Sequence, residues 1–290
     1  MSSKIYFKNN KQRFDFSKLV INLVSRTCFA IVPKITVKYA RKLFLTPARN
    51  QSKNEEPTDL KVKDIQGDTG KIRVYQSGEG PVWLMVHGWS GSASQFFPLM
   101  QKVTAMGYTA VAFDQPAHGQ SEGQEAHIPN MISALESVIT QYDEIEGIIA
   151  HSMGVSISLH IIEQSLKGKP CLFIAPALFY WENAIKTVQR SGVDLQLYNA
   201  VIEQVSSEFE FAPEDFDPDQ KLFELSSPVT IVHDKEDRFT PFEASRKASD
   251  CDHIELVETE NLGHGRILKS EEVERAFTLL ATRDQEQEIA

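Results

Sequence analysis

Cysteine is scarce in this sequence. The three present, Cys28, Cys171 and Cys251, lie far apart and show no C-x-x-C spacing. A disulfide framework and a cysteine-built zinc site are therefore not expected, and a reduced, cytoplasmic setting is. Long apolar runs are lacking as well. No stretch has the roughly 18 uninterrupted apolar residues of a membrane span, and the best, "LVINLVSRTCFAIVP" (19–33), is broken by Asn22, Ser25 and Arg26. The same breaks, with no small-x-small cleavage site after them, make it a poor secretory signal. Positive charge is in the minority: 30 Lys and Arg against 40 Asp and Glu, a formal net charge of -10, which argues against nucleic-acid binding. "HGWSGSAS" (87–94) is glycine-containing but lacks the lysine of a phosphate-binding P-loop, and no metal or cofactor is expected.

Acidic residues are nearly absent from one region. Up to Lys53 there are twelve basic residues and only Asp15 against them, 12 - 1 = +11, so the remainder carries -10 - 11 = -21. A basic arm is joined to an acidic body. Within the arm Phe16, Leu19, Val20, Leu23, Val24, Cys28 and Ile31 recur at helical spacing. Pro33 interrupts, and beyond it Ile35, Tyr39 and Leu43 share a face, with Lys34, Lys38, Arg41 and Lys42 on another. Two readings compete: helices packing on their own acidic body, or a basic amphipathic arm (residues 1–50) making peripheral contact with an anionic membrane surface. The first is preferred here because both faces are short and irregular.

The polar stretch 46–59, "TPARNQSKNEEPTD", reads as a linker. Residues 1–54 then form a basic helical extension with its linker, and 55–290 the main domain. In that domain 60–65 and 71–76 alternate like half-buried strands, with a turn at 67–70. Residues 81–88, 108–114, 145–151, 169–175 and 228–234 are continuous apolar runs, as strands buried on both faces are. Helical patterns lie between them at 92–104, 129–142 and 155–166, which predicts an α/β, mainly parallel sheet with helices on both faces. The alternation lapses over about 178–224, after the sixth strand, where a small helical cap is expected.

In parallel sheets sites form beyond the carboxyl ends of strands. The chemistry-bearing residues fall there: His87-Gly88-Trp89-Ser90-Gly91 after the third strand, Asp114 after the fourth, Ser152 after the fifth, Asp237 after the seventh, and His264 after the strand 253–258. From about residue 60 to 285 the chain resembles the α/β-hydrolase fold superfamily, serine esterases with a short helical cap in particular. "HGWSG" looks like its oxyanion-hole turn, "AHSMG" like its nucleophile elbow, and "HDKEDRFTP" with "GHGRIL" like its acid and base loops, in the order Ser, Asp, His.

The resemblance implies Ser152 as nucleophile, His264 as general base, Asp237 as its acid partner, and backbone N–H groups of Trp89 and Met153 as the oxyanion hole. Asp234 and Glu236 compete with Asp237; Ser90 competes with Ser152, which could also be only a helix cap. His118, His151 and Asp114 are expected to brace loops. Ala150 stands where the elbow pattern has its first glycine. Phe179, Tyr180, Trp181, Leu197 and Tyr198 are candidates for an apolar acyl pocket. A serine at 152 argues against haloalkane dehalogenases and soluble epoxide hydrolases, relatives with an aspartate nucleophile. The function implied is hydrolysis of a carboxylic ester or related acyl bond of a small molecule through an acyl-enzyme. Acyl transfer, amide or peptide cleavage, and a non-catalytic binding module on the same scaffold are the alternatives.

Overall fold

The computed structural model describes residues 16–288, with side chains as far as residue 282; Lys4, Lys8, Lys11, Arg13 and Asp15 lie outside the described residues. The apolar runs are strands: β1 Lys61–Gly67, β2 Gly70–Ser77, β3 Val82–Val86, β4 Thr109–Phe113, β5 Ile145–His151, β6 Cys171–Ile174, β7 Val229–Asp234 and β8 Ile254–Thr259. They form one sheet in the order β1-β2-β4-β3-β5-β6-β7-β8. β1 pairs antiparallel with β2 and β2 with β4; every other pairing is parallel. Every residue of β3, β4, β6 and β7 is buried, which is why these runs are continuous rather than alternating.

The helices are α1 Phe16–Ile31, α2 Pro33–Leu45, α3 Phe97–Ala105, α4 Ile128–Ile139, α5 Met153–Ser165, α6 Tyr180–Ser191, α7 Leu195–Phe209, α8 Pro218–Glu224, α9 Phe242–Ala248, α10 Gly263–Arg266 and α11 Glu271–Glu288. α3 and α11 close over a core in which the Trp83 ring meets Phe277 edge-on at 5.0 Å and Tyr108 at 6.3 Å. α5 packs on β3 and β5, with α4 beside it. From β3 the chain steps outward to β4, then returns to place β5 on the other flank of β3. That reversal is a topological switch point, and ligands of open parallel sheets bind beyond the carboxyl ends of the strands at such a point.

By their contacts the residues fall into two units. Among the described residues, 16–46 with Phe179–Asp217 make one, and Pro47–Leu178 with 218–288 the other. Of the extension expected from sequence to run to residue 54, the part up to Thr46 shares its unit with much of the segment that follows β6, and residues 47–54 belong to the larger unit. In this helical unit Ala40 and Leu45 pack with Leu197, Val201 and Val205, with Phe29, Val37 and Phe44 around them. Ser25 Oγ accepts the Asp194 N–H at 3.0 Å, and Arg41 pairs with Glu208.

Both arm helices form where the apolar spacing and Pro33 place them, but the stripes that spacing picks out are not the packing faces. α1 buries no residue, and the Ile35, Tyr39, Leu43 face of α2 is exposed; Val37, Ala40 and Phe44 face inward instead. The arm packs on α6 and α7. Residues 47–59 lack regular structure yet are held to the larger unit. Arg49 donates to the carbonyls of Gly119, Ser121 and Gly123, and Asn54 to those of Ser94 and Gln95. Their polarity is spent on loop carbonyls rather than water, so this segment is a strap and not a free linker.

Candidate active site

Ser152 sits between the last residue of β5 and the first of α5, with φ 55° and ψ -123°. Such a backbone is strained for any residue with a side chain, on the order of 1–3 kcal/mol. Three hydrogen bonds over-determine it: Ser152 N–H donates to Ile174 O (3.0 Å), and Ser152 O accepts Val155 N–H (3.0 Å) and Ala177 N–H (3.2 Å). Gly154 is required by close approach, since a Cβ there would lie 2.3 Å from Val86 O. Ala150 is buried in β5 at negative φ, so this position of the elbow has no need of a glycine.

The bend aims Ser152 Oγ at His264 Nε2, 3.0 Å away; His264 Nδ1 is 2.7 Å from Asp237 Oδ2. The network assigns the tautomer: Nδ1–H donates to the carboxylate, leaving Nε2 to accept the serine hydroxyl. The His264 ring lies between His151 and Phe239, at centroid distances of 4.7 and 5.1 Å.

Asp237 is the best-supported carboxylate. Its Oδ1 accepts the backbone N–H groups of Phe239 (2.7 Å) and Thr240 (3.1 Å), and its Oδ2 the Thr240 hydroxyl (2.9 Å). His233 Nε2 stands 3.4 Å from Oδ2, and His233 Nδ1 is 2.7 Å from Ser245 Oγ. Burial works to raise this carboxyl, but the hydrogen bonds from His233 and His264 outweigh it and hold it well below the usual carboxylate range. Asp234 is used elsewhere: it accepts Leu262 N–H, Thr259 Oγ1 and Glu236 N–H, pinning the loop that carries His264. His233, Thr240 and Ser245 are not among the candidates that the sequence offers. Their spacing of four, three and eight residues from Asp237 carries no period that a motif would show.

The N–H groups of Trp89 and Met153 have no hydrogen-bond partner among the described residues. They belong to neighbouring backbones: a Cβ on Gly88 would lie 2.8 Å from Ser152 Cβ and 3.1 Å from Met153 N. Ser90 N–H is taken by His118 Nε2 (2.9 Å), and Ser90 Oγ accepts Ala48 N–H (3.0 Å), so Ser90 is a loop brace with no base on its hydroxyl. Asp114 braces the same loop, accepting from Ala93 N–H, Gln120 N–H and Tyr75 Oη. A Gly88→Ala substitution is expected to push the two N–H groups apart and lower kcat about 100-fold with little change in KM, a split that steady-state kinetics resolve.

Three histidines near Ser152 and its neighbouring loops, His87, His118 and His151, are buried, and their burial favours the neutral form. His87 Nε2 accepts Gln115 N–H (3.0 Å) while Nδ1–H donates to Gly88 O (2.8 Å). His118 has the same pattern with Ser90 N–H and Pro116 O. Protonation would set N–H against N–H at both. His151 donates Nε2–H to His264 O at 3.0 Å. Burial lowers all three, His87 to about 4 and His118 and His151 to about 3, from 6.5. Unfolded histidines take up protons below 6.5 and these do not, so stability is complete above 6.5 and declines as pH falls toward 4. Between about pH 7 and pH 5 the loss is expected to be on the order of 4 kcal/mol, to be read from urea unfolding at the two pH values. Asp237, held low, keeps its stabilisation until below its ordinary 3.8; Asp114, raised by burial, offsets part of the decline.

The pocket candidates lie in the helical unit. Trp181 donates its indole N–H to Pro213 O (3.1 Å) and Phe216 O (3.0 Å), with Tyr180 edge-on to it and to Phe216. Tyr198 packs edge-on against Phe44 of α2, Leu197 is in that unit's core, and Phe179 caps α6 at φ 51°.

Residues 81–211 match the family model described as serine aminopeptidase, S33. Among solved structures, an esterase from Pyrococcus furiosus is 18% identical with a TM-score of 0.62, covering 82% of this chain and 97% of its own. Est1E from Butyrivibrio proteoclasticus, solved with ferulic acid, is 16% identical with a TM-score of 0.59 over 79% of this chain and 100% of its own. An esterase from Exiguobacterium antarcticum is 19% identical with a TM-score of 0.58 over 75% and 98%. No curated protein matches in sequence at a significant level. At these identities the likeness is one of fold.

Proposed function

We propose that this chain, which shares the fold of the esterases it resembles in structure and matches a serine-hydrolase family model over residues 81–211, is a serine hydrolase cleaving a carboxylic ester or related acyl bond of a small molecule. The observation that carries the reading is the hydrogen-bonded series Ser152 Oγ, His264 Nε2, His264 Nδ1, Asp237 Oδ2 on a strained elbow. A serine hydroxyl is a poor nucleophile until a base takes its proton. His264 takes it as Ser152 Oγ attacks the acyl carbon, and Asp237 stabilises the imidazolium that forms. Charge moves to the former carbonyl oxygen, where the N–H groups of Trp89 and Met153 donate to it. Collapse expels the alcohol, which receives its proton from His264, and leaves an acyl-enzyme. Water, activated by the same imidazole, repeats the sequence and frees the acid and Ser152.

Incubation with a fluorophosphonate tests this. The expected result is stoichiometric covalent label on the peptide containing Ser152, accompanied by loss of turnover of short-chain aryl esters. Absence of label, or equal label on Ser152→Ala, defeats the proposal. The match to an aminopeptidase family model favours one second reading, amide cleavage by the same residues. Aminoacyl anilides and matched aryl esters, assayed side by side, separate the two.

A further inference from the structure

We propose that the outward face of α1 and α2 is a docking surface for an anionic lipid bilayer, on which the protein rests without crossing it. Seventeen large hydrophobic residues are exposed among the described residues, and eleven of them fall between Phe16 and Leu43. Contiguous apolar patches of this kind are rare on a soluble surface and mark an interaction site. They follow helical spacing: Phe16, Leu19 and Leu23 on α1, then Ile35, Tyr39 and Leu43 on α2, with Leu23 66% and Tyr39 and Leu43 71% exposed. The opposite faces already have partners in α6 and α7. The exposed stripe is therefore a second face, additional to the one that folding uses.

Charge identifies the partner. Residues 16–46 contain Lys18, Arg26, Lys34, Lys38, Arg41 and Lys42 and no Asp or Glu. Lys34, Lys38 and Lys42 each precede a stripe residue (Ile35, Tyr39, Leu43) by one position, about 100° around the helix. They form one edge of the stripe, and all three are exposed. Lysines so placed lay their methylenes along apolar surface and hold their ammonium groups at the level of lipid phosphates. A second copy of the chain is the poorer fit, because face-to-face pairing would bring two basic edges together with no carboxylate on α1 or α2 to meet them. Spanning is excluded for the described helices, none of which is long and apolar enough to cross a membrane. α1, with 16 residues, is about 24 Å long, suited to lying in the interface.

The test is co-sedimentation of the full chain with vesicles of phosphatidylcholine alone, or with about a third phosphatidylglycerol, at low and high salt. Wild-type protein should pellet with the anionic vesicles and be released by salt, since the electrostatic part is screened. The triple change Lys34→Gln, Lys38→Gln, Lys42→Gln should weaken partition roughly a hundred-fold. Leu19→Ser, Leu23→Ser, Leu43→Ser should abolish it. Circular dichroism melting, which does not depend on any hydrolase activity, confirms that each variant is folded; the positions are exposed, so melting should be unchanged. Wild-type protein that stays in the supernatant overturns the proposal, as do variants that pellet like wild type. A wild-type dimer in sedimentation velocity that the leucine variant dissolves overturns it too, by assigning the face to a second copy.

Discussion

Replacing Ser152 with alanine is expected to lower kcat/KM by about 10⁵- to 10⁶-fold, with KM nearly unchanged. The hydroxyl is the only nucleophile in contact with His264 Nε2 among the described residues, so in the proposed mechanism its loss removes the covalent step outright. What remains is substrate binding and the N–H groups of Trp89 and Met153, which by themselves give roughly 10³- to 10⁴-fold over water. The elbow does not collapse in the variant. Its bend is held by backbone bonds to Ile174, Val155 and Ala177, none of which uses the side chain. Melting should therefore be close to wild type while turnover disappears. Adding His264→Ala should cost little more, because the base has nothing left to activate. A loss under ten-fold, measured on a short-chain ester by stopped initial rates, would mean another residue carries the reaction.

Asp237→Asn is expected to lower kcat by about 10⁴-fold at neutral pH. The geometry stays, since an amide oxygen can still accept from Phe239 and Thr240. Two things are lost. The imidazolium formed during attack no longer faces a negative charge. Asn also places an N–H₂ group among three donors (His264, Thr240, His233), and the imidazole can turn its proton to Nε2, toward the serine. Fluorophosphonate labelling should slow in parallel with turnover. Asp234→Asn makes the contrast: it loosens Leu262 and Thr259, lowering thermal stability, with activity within about ten-fold of wild type, because Asp234 makes no bond to His264. If the two substitutions exchanged effects, Asp234 would be the acid after all.

Much of the site was legible because it is written at strand ends. A buried parallel strand is a continuous apolar run, and the residue that ends the run is delivered to the catalytic edge. Ser152, Trp89, Asp237 and His264 could be placed by that rule together with the resemblance. The support behind Asp237 could not. His233 from β7 and Thr240 from the loop after it meet Asp237, Ser245 of α9 holds His233, and these contacts depend on how the three elements pack. The hold on residues 47–59 was not legible, because their polar side chains meet carbonyls of loops some 40 to 74 residues away in sequence.

The arm separates the two kinds of information most clearly. Sequence by itself determined that the basic arm holds helical patterns interrupted at Pro33, with apolar stripes and a basic complement, because periodicity and backbone sterics are local properties. It also determined a mainly parallel sheet, with Ser152, Asp237 and His264 beyond the ends of its strands. Which face of each arm helix turns inward was decided only by tertiary structure. α7 offers branched side chains, Leu197, Val201 and Val205, that fit Val37, Ala40 and Phe44, and close packing selects complementary shape over the larger hydrophobic sum. The more apolar stripe is left outside for the same reason, with its lysines along one edge.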